Sequence, residues 1–493
     1  MSDQSTDNRP DSQHELQEID EISEIAKLSG LQRGQDGYIE TYTAIEQVLQ
    51  NLSPGETLDR KKADAMIAEI DQKIGAQIDE VLHNEDFQEL ESAWRGLKYV
   101  VDNTDFRQNI KIDVLNVSKE DLAEDFADSP EVPQSGLYHH VYSSEYGTFG
   151  GKPYGAIVGN YSLSPSNPDV QLMRGIASVS AMSHAPFIAA ADSDFFPNMD
   201  GDFSKLTDLK DIAASFESPR YTKWREFRKT EDARYIGLTM PRFLLRLPYD
   251  PEQNPVKEYA YSEDVSQDHN NYLWGNASYA FASCLTKSFE KYRWCSNIIG
   301  PQGGGRVDNL NVHLFESKGQ VEQKIPTETI IPDRTSYELA ELGFISLDIR
   351  KGEADAAFFS ANSAQEPKFF ANTEEGRMAE ANYKLGTQLP YIFMLTRVAH
   401  YLKVLQQEEL GKNTSRAKLQ SKLDNWIRQY VHAADDAPDN VLAKYPFREA
   451  KISVEDIETD PGWYKVGIRL RPGFKYMGAY FDLSLVSKME STE

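Results

Sequence analysis

Cysteine is nearly absent: two in 493 residues, Cys284 and Cys295. Neither has metal-ligand spacing, and both sit in apolar or aromatic surroundings ("FASCLT", "YRWCSN"), which excludes a disulfide scaffold and predicts buried, reduced thiols suited to a reducing cytoplasm. No long apolar run occurs; "AMSHAPFIAAA" is too short and interrupted to cross a bilayer. The leading residues, "MSDQSTDNRPDSQHE", lack a basic n-region and an apolar h-region, so neither an export signal nor membrane insertion is expected. Basic residues are outnumbered, 52 against 78 acidic, for a formal charge of −26. That balance repels polyanions and argues against nucleic acid or an anionic membrane as partner.

Catalytic constellations are missing too. The nine histidines form no H-E-x-x-H or other close ligand set, and His139-His140, read as extended, points to opposite faces. "DSDFFPNMDGD" (192–202) has calcium-loop character, but Phe196 takes the third ligand place and Phe203 the terminal one. No G-x-S-x-G is present. "NIIGPQGGGRVDN" sets Gly300 and Gly305 at the spacing of a phosphate loop, yet Arg306 and Val307 stand where Lys and Ser/Thr are needed. A glycine turn between strands is the plain reading, and a nucleotide-binding enzyme using the 300–306 loop is the alternative. No cofactor or metal is expected.

What is present is a large, aromatic-rich globular chain, with 40% hydrophobic residues, 25 Tyr and 23 Phe, long enough for two or more domains. Residues 1 to about 15 are polar and free of aromatics, the composition of a segment that stays disordered. "ELQEIDEISEIAKLSGL" then repeats Leu16, Ile19, Ile22, Ile25 and Leu28 between acidic residues, a short amphipathic helix ended by Gly30. It either docks on its own domain or is offered to a partner.

Apolar spacing predicts helices over 63–82 and 87–101, a helical hairpin. "NIKIDVLNV" (109–117) alternates like a strand, and Ser118 caps a short helix. A long α/β region runs to about 370, with strands expected in "YGAIVGNY", "ARYIGLTM", "NVHLFE" and "GFISLDI" and helices in "DVQLMRGIASVSAMSHA" and "LWGNASYAFASCLTKSFEKY". Further helices are expected from about Ala379 to Leu410 and from Thr414 to Val431. At the C-terminus "WYKVGIRLRP" and "GAYFDLSLVSK" read as two paired strands, the second with Ala479, Phe481, Leu483 and Leu485 on one face. A strand so near the chain end is either an ordinary edge strand or one shared with another subunit.

Several ordered blocks carry a resemblance: "FQELESAWRGLKYVV", "EYGTFGGKPYGAIVGNYSLS", "HAPFIAAADSDFF", "ARYIGLTMPRFLLRLPY", "YLWGNASYAFASCLTKSFEKYRWCSNIIGPQGGGRV", "IPTETIIPDRTSYELAELGFISL" and "PGWYKVGIRLRPGF". From about residue 55 to the end the chain resembles the large subunit of the type VI secretion contractile sheath, the VipB/TssC family.

The resemblance implies a mixed α/β (α+β) tail-sheath core with an N-terminal helical arm and a C-terminal strand arm. It divides the chain into an arm over 1–54, a main domain over 55–372 and a C-terminal sheath domain over 373–493. It also implies a structural rather than enzymatic role, in a cytoplasmic sheath belonging to a membrane-anchored secretion assembly. The partners it implies are a small sheath subunit of the VipA/TssB type, further copies of the chain in a helical lattice, an inner tube of Hcp type, a baseplate, and a recycling AAA+ ATPase of ClpV type. Leu16, Ile19, Ile22, Ile25 and Leu28 then become the ATPase-binding face. Ala479, Phe481, Leu483 and Leu485 become an inter-subunit strand. Glu455, Asp456, Glu458 and Asp460 are either an inner-tube contact or a solvated acidic helix. A related phage-tail-like injection particle is the other structural reading.

Overall fold

Burial on both faces is what a parallel sheet demands, because its crossover helices cover it above and below, and strand "FIAAA" (Phe187–Ala191), buried along its length, meets that demand. The computed structural model describes residues 60–490 apart from 200, 258–260, 318, 351, 369, 371–372, 410–414, 433–437, 457–462 and 474–482. It is a mixed α/β protein. It separates into two units, 1–76 and 77–493.

Of the first unit, the described part is the leading stretch of helix α1 (Arg60–Leu82), where Lys73 and Glu69 form a 2.8 Å ion pair one turn apart.

Helix α2 (Glu85–Asp102) starts at Asn84, whose side chain accepts from the Phe87 amide at 3.2 Å. Helix α3 (Lys119–Asp128) opens on the expected Ser118, which forms a reciprocal capping box with Asp121. Next come β1 (Ile157–Leu163), α4 (Asn167–Ser183), β2 (Phe187–Ala191) and β3 (Ile236–Met240). The chain continues through β4 (Phe243–Leu244), β5 (Trp274–Gly275), α5 (Ala277–Tyr292), β6 (Arg306–Val307), the hairpin β7 (His313–Ser317) and β8 (Gln320–Lys324), α6 (Asp333–Glu341), β9 (Phe344–Ile349) and β10 (Ala356–Phe358). The C-terminal part holds α7 (Glu374–Gly386), α8 (Leu389–Glu409), α9 (Arg416–Arg428) and strands β11 (Phe447–Asp456), β12 (Trp463–Pro472) and β13 (Leu483–Glu490).

The central sheet has the order β1-β2-β3-β9-β10-β6. Its first four strands are parallel, and β10 and β6 close it antiparallel. Side-chain alternation divides two cores. Phe187, Ala189, Ile236, Leu238 and Phe344 face one core with Val170, Met173 and Ile176 of α4. Ile188, Ile345, Leu347 and Phe358 face the other with Phe281 and Cys284 of α5. Helix α8 reaches into the second core through Leu389 and Phe393, while its Met394, Val398 and Leu402 belong to a third core under β11 and β12.

Helix α2 lies on α5. Gly96 makes the approach possible, since a Cβ there would collide with the Tyr279 ring.

Four expectations are corrected. Residues 109–117 form no strand: Val114 and Leu115 are exposed, and among the described residues no strand pairs with them. Alternation alone cannot supply a partner strand. His139-His140 is not extended but begins a wide helical turn, His139–Tyr146. The single helix expected over 379–410 is two, because Ser363 N donates to Thr387 O and Leu389 N to Ala361 O, both at 2.8 Å, drawing the backbone at 387–389 out of the helical ladder. Finally, 454–456 is not helical; it is the end of β11.

Candidate assembly interface

Strands β11, β12 and β13 form a separate three-stranded antiparallel sheet in that order. One face is apolar: Ile452 and Val454 of β11 and Val466, Ile468 and Leu470 of β12 are buried against Leu419, Leu423 and Ile427 of α9. The Trp294 ring packs edge-on to Phe447 at 5.6 Å. On the opposite face Lys451, Ser453, Glu455, Lys465 and Arg469 are exposed. This is the half-buried pattern of a sheet with one wet face.

Its two edges differ. On β11 the outer edge is engaged: Phe447 O accepts from His432 N at 2.9 Å, and Ile452 O accepts from the Gln420 side chain of α9 at 3.1 Å. Beyond β13 no strand lies, among the described residues. A strand edge with no strand beside it presents a row of amide donors and carbonyl acceptors, a template for a further strand.

Of the residues expected in an inter-subunit strand, Leu483 and Leu485 lie in β13 opposite Leu470 and Ile468, whereas Ala479 and Phe481 fall outside the described residues. Of the acidic set, Glu455 and Asp456 are exposed on β11, and Asp456 pairs with Arg416 at 2.8 Å. Glu458 and Asp460 lie outside the described residues, as do Leu16, Ile19, Ile22, Ile25 and Leu28.

A second surface was hidden in the sequence. Phe87, Leu90, Trp94 and Val101 mark α2 as amphipathic, which ordinarily means a core-facing stripe. Leu90 and Trp94 are instead 57% and 67% exposed. With Phe87, flanked by Glu91, Arg95 and Lys98, they form an exposed apolar stripe along one face of α2. Periodicity reports that a face is apolar and is silent about whose atoms cover it. Contiguous apolar exposure of this kind marks an interaction surface.

The glycine-rich loop has a steric explanation. Gly300 holds φ of +85°, and a Cβ on Gly304 or Gly305 would strike the backbone carbonyl of Asn297 or Phe358. Arg306, the one cation placed for a phosphate, is held by Asp308 at 2.5 Å and Asp355 at 2.6 Å. Those carboxylates would repel a nucleotide. Phe196 and Phe203, which stand in the ligand places of the calcium-like loop, are core residues. Burial pushes the Cys284 thiol up to about 12 and Cys295 to about 11, so neither is a ready nucleophile. No described helix is long and apolar enough to cross a membrane.

The sequence comparisons identify the family. Residues 64–365 match the VipB family, the EvpB/VC_A0108 tail sheath N-terminal domain, and 378–489 match the tail sheath gpW/gp25-like domain of the same proteins. The chain is 40% identical over 456 residues to the type VI secretion system sheath protein TssC1 of Pseudomonas aeruginosa, covering 92% of this chain and 90% of that one. The chain belongs to the VipB/TssC family of type VI secretion sheath large subunits, structural proteins of the sheath.

Proposed function

We propose that this chain pairs with a small VipA/TssB-type subunit and builds a helical cytoplasmic tube around an Hcp-type inner tube, seated on a baseplate. Contraction of the tube drives the inner tube outward. The observation that supports this reading is the C-terminal sheet, with β13 at its end, paired with β12 on one edge and with no strand on the other among the described residues. Each backbone hydrogen bond across such an edge is worth only about 0.5–1.5 kcal/mol net. Repeated through a lattice, the bonds make a mesh that slides and shortens without coming apart. Work is then released because the contracted packing lies lower in free energy than the extended one that assembly traps. The exposed apolar stripe of α2 is the surface proposed for the small subunit. Glu455 and Asp456, with Glu458 and Asp460, are proposed to face the inner tube, and residues 1–54, 55–372 and 373–493 act as arm, main domain and C-terminal sheath domain.

Proline at 485 and at 486 tests the edge. Successive amides of a strand point to opposite sides, so one variant removes a donor facing β12 and the other a donor on the open edge. Co-expressed with the small subunit, the open-edge variant is expected to keep its melting temperature while its yield of pelletable sheath falls about tenfold or more, roughly the cost of one or two bonds per protomer. Wild-type yields from both variants would end the strand-sharing reading.

Recycling is assigned to an AAA+ ATPase of ClpV type through Leu16, Ile19, Ile22, Ile25 and Leu28. Burying a large aliphatic side chain contributes about 1.5–3 kcal/mol before ordering costs, and a polymer multiplies a weak site. Ile22→Asp is expected to abolish capture of contracted sheath by the ATPase in a pull-down while sheath still forms; undiminished capture would remove the assignment.

A further inference from the structure

Residues 110–116 alternate like a strand yet pair with none among the described residues. Asn109, at a φ of 60°, turns the chain into the segment, and from Ile110 to Ser118 the backbone runs on without a turn or bend. Both ends are tied to the body. Arg293 donates to Gln108 O and Gln108 Oε1, and Tyr161 Oη of β1 donates to Val117 O at 2.7 Å. Between those ties no amide or carbonyl of 110–116 is hydrogen-bonded to another described residue. The segment lies at the surface, so solvent serves these groups as it serves any exposed strand edge, and a second strand can take the solvent's place.

The side chains say more. Ile110 and Ile112 are half-buried, whereas Lys111, Asp113, Val114 and Leu115 are exposed. In chain order the exposed apolar surface continues from the stripe of α2 through Val101 and Phe106 to Val114 and Leu115, so one molecule seated on α2 meets this segment next. Charge adds a requirement. The Lys111 and Lys152 ammonium groups stand within hydrogen-bonding reach, and the hydrogen bond and charge of Lys152 hold the Lys111 pKa below its ordinary value, with Asp113 and Glu145 pulling the other way. Glu145 is already engaged, accepting from the Lys152 amide at 2.6 Å. Two exposed cations crowded together favour an arriving carboxylate.

We infer that 110–116 is one strand of a sheet completed between subunits: it pairs with an extended segment of the small sheath subunit that sets an acidic side chain against Lys111 and Lys152 and apolar ones against Val114 and Leu115. The alternation of this stretch is then that of a strand whose neighbour belongs to another chain. The choice of that subunit rests on the sheath reading and on the α2 stripe proposed for it; the open backbone does not. The joint is separate from β13, which belongs to the C-terminal sheet.

The test is hydrogen exchange resolved to single amides, on the full chain alone and on the pair purified with the small subunit. In the lone chain the amides of 110–116 are expected to exchange as fast as those of an unstructured peptide. In the pair every second one is expected to slow by about a hundredfold or more, because successive amides of a strand face opposite sides. A pair in which 110–116 stays unprotected, or is slowed at every amide alike, overturns the inference and leaves the sheath reading standing. Protection that appears in the lone chain as its concentration rises would assign the edge to a second copy and overturn the small subunit as occupant. Failure of the two chains to associate at all would sink the sheath reading and this occupant together. Val114→Pro and Leu115→Pro supply a second readout. Neither amide is bonded within the chain, so neither variant is expected to lower the melting temperature of the lone protein, while one of the two cuts recovery of the small subunit about tenfold. Lys111→Glu/Lys152→Glu is expected to cut recovery similarly. Undiminished recovery from both proline variants overturns the strand joint, and from the lysine variant its charge match.

Discussion

Arg246→Ala is expected to destabilise the protein by about 3–5 kcal/mol, the cost of breaking a buried ion pair from one side. The guanidinium and the Glu263 carboxylate have side chains 3% and 1% exposed and meet at 2.5 Å and 3.1 Å. Arg246 Nε also donates to Glu91 on α2 at 3.1 Å, and its cation lies 4.5 Å from the centre of the Tyr249 ring. Glu263 accepts in addition from the Tyr249 amide at 2.9 Å. Burial works against the charge on Arg246, yet the hydrogen bond and charge of Glu263, with those of Glu91, hold the guanidinium pKa above its ordinary value. Removing the arginine strands a carboxylate in the interior and unfastens α2 from the 246–263 segment. Chemical denaturation of the purified chain measures this. A loss below about 1 kcal/mol would put the pair among ordinary surface bridges. The double variant Arg246→Met/Glu263→Leu is expected to recover most of the loss, because no buried charge is then left alone.

Acid is expected to weaken the fold through a pair of histidines. His184 ends α4 in the left-handed conformation, and His400 lies on α8, their rings 6.4 Å apart and both against Tyr146. His400 Nε2 is 3.0 Å from Ser183 O, so the neutral ring carries its proton there. Burial lowers both imidazoles from 6.5 to about 4. For His400, the Ser183 carbonyl works against that shift, while His184 and Arg397 add to it.

The sign follows. Above pH 6.5 the rings are neutral whether the chain is folded or not, and their contribution is constant. Below 6.5 the unfolded chain binds protons that the folded one refuses, so stability falls with pH down to about 4. At about 1.4 kcal/mol per pH unit for each ring, the loss reaches roughly 3 kcal/mol per histidine. Asp348, raised to about 6, works in the opposite direction over part of the range, since its folded form gains a proton first. His400→Gln keeps a donor for Ser183 O and is expected to lower the slope of unfolding free energy against pH between 6.5 and 4.5 by about 1.4 kcal/mol per pH unit. An unchanged slope would exclude the imidazole as its source.

Local signals in the sequence located many of the elements. Ser118 and its acidic partner three residues on define a helix start by hydrogen-bond chemistry that needs no distant partner, and the apolar runs around 236 and 345 were legible as strands, whereas β2 at Phe187–Ala191 was not read as one. What escaped depends on distance along the chain. Glu91 is drawn to Arg246 only by the fold, and no spacing announces it. The break at 387–389 arises because segment 361–363 captures those backbone groups, although Pro390 near the start of α8 is a signal that could have been read. The alternation of 109–117 was real but lacked a neighbouring strand. β11 went unseen beside its acidic end, where charge outweighed Ile452 and Val454. Of the interface, Leu483 and Leu485 were legible as a strand face, whereas the exposure of Leu90 and Trp94 was not, since an apolar stripe looks the same whether it meets its own core or another molecule.

The most direct measurement is negative-stain microscopy of this chain co-expressed with the small sheath subunit. Long hollow cylinders with a ridged outer surface are the predicted result, lost when β13 is deleted. A co-purified pair that stays as discrete soluble particles across salt and pH, or cylinders that form equally well without β13, would contradict an assembly held together by shared strand edges.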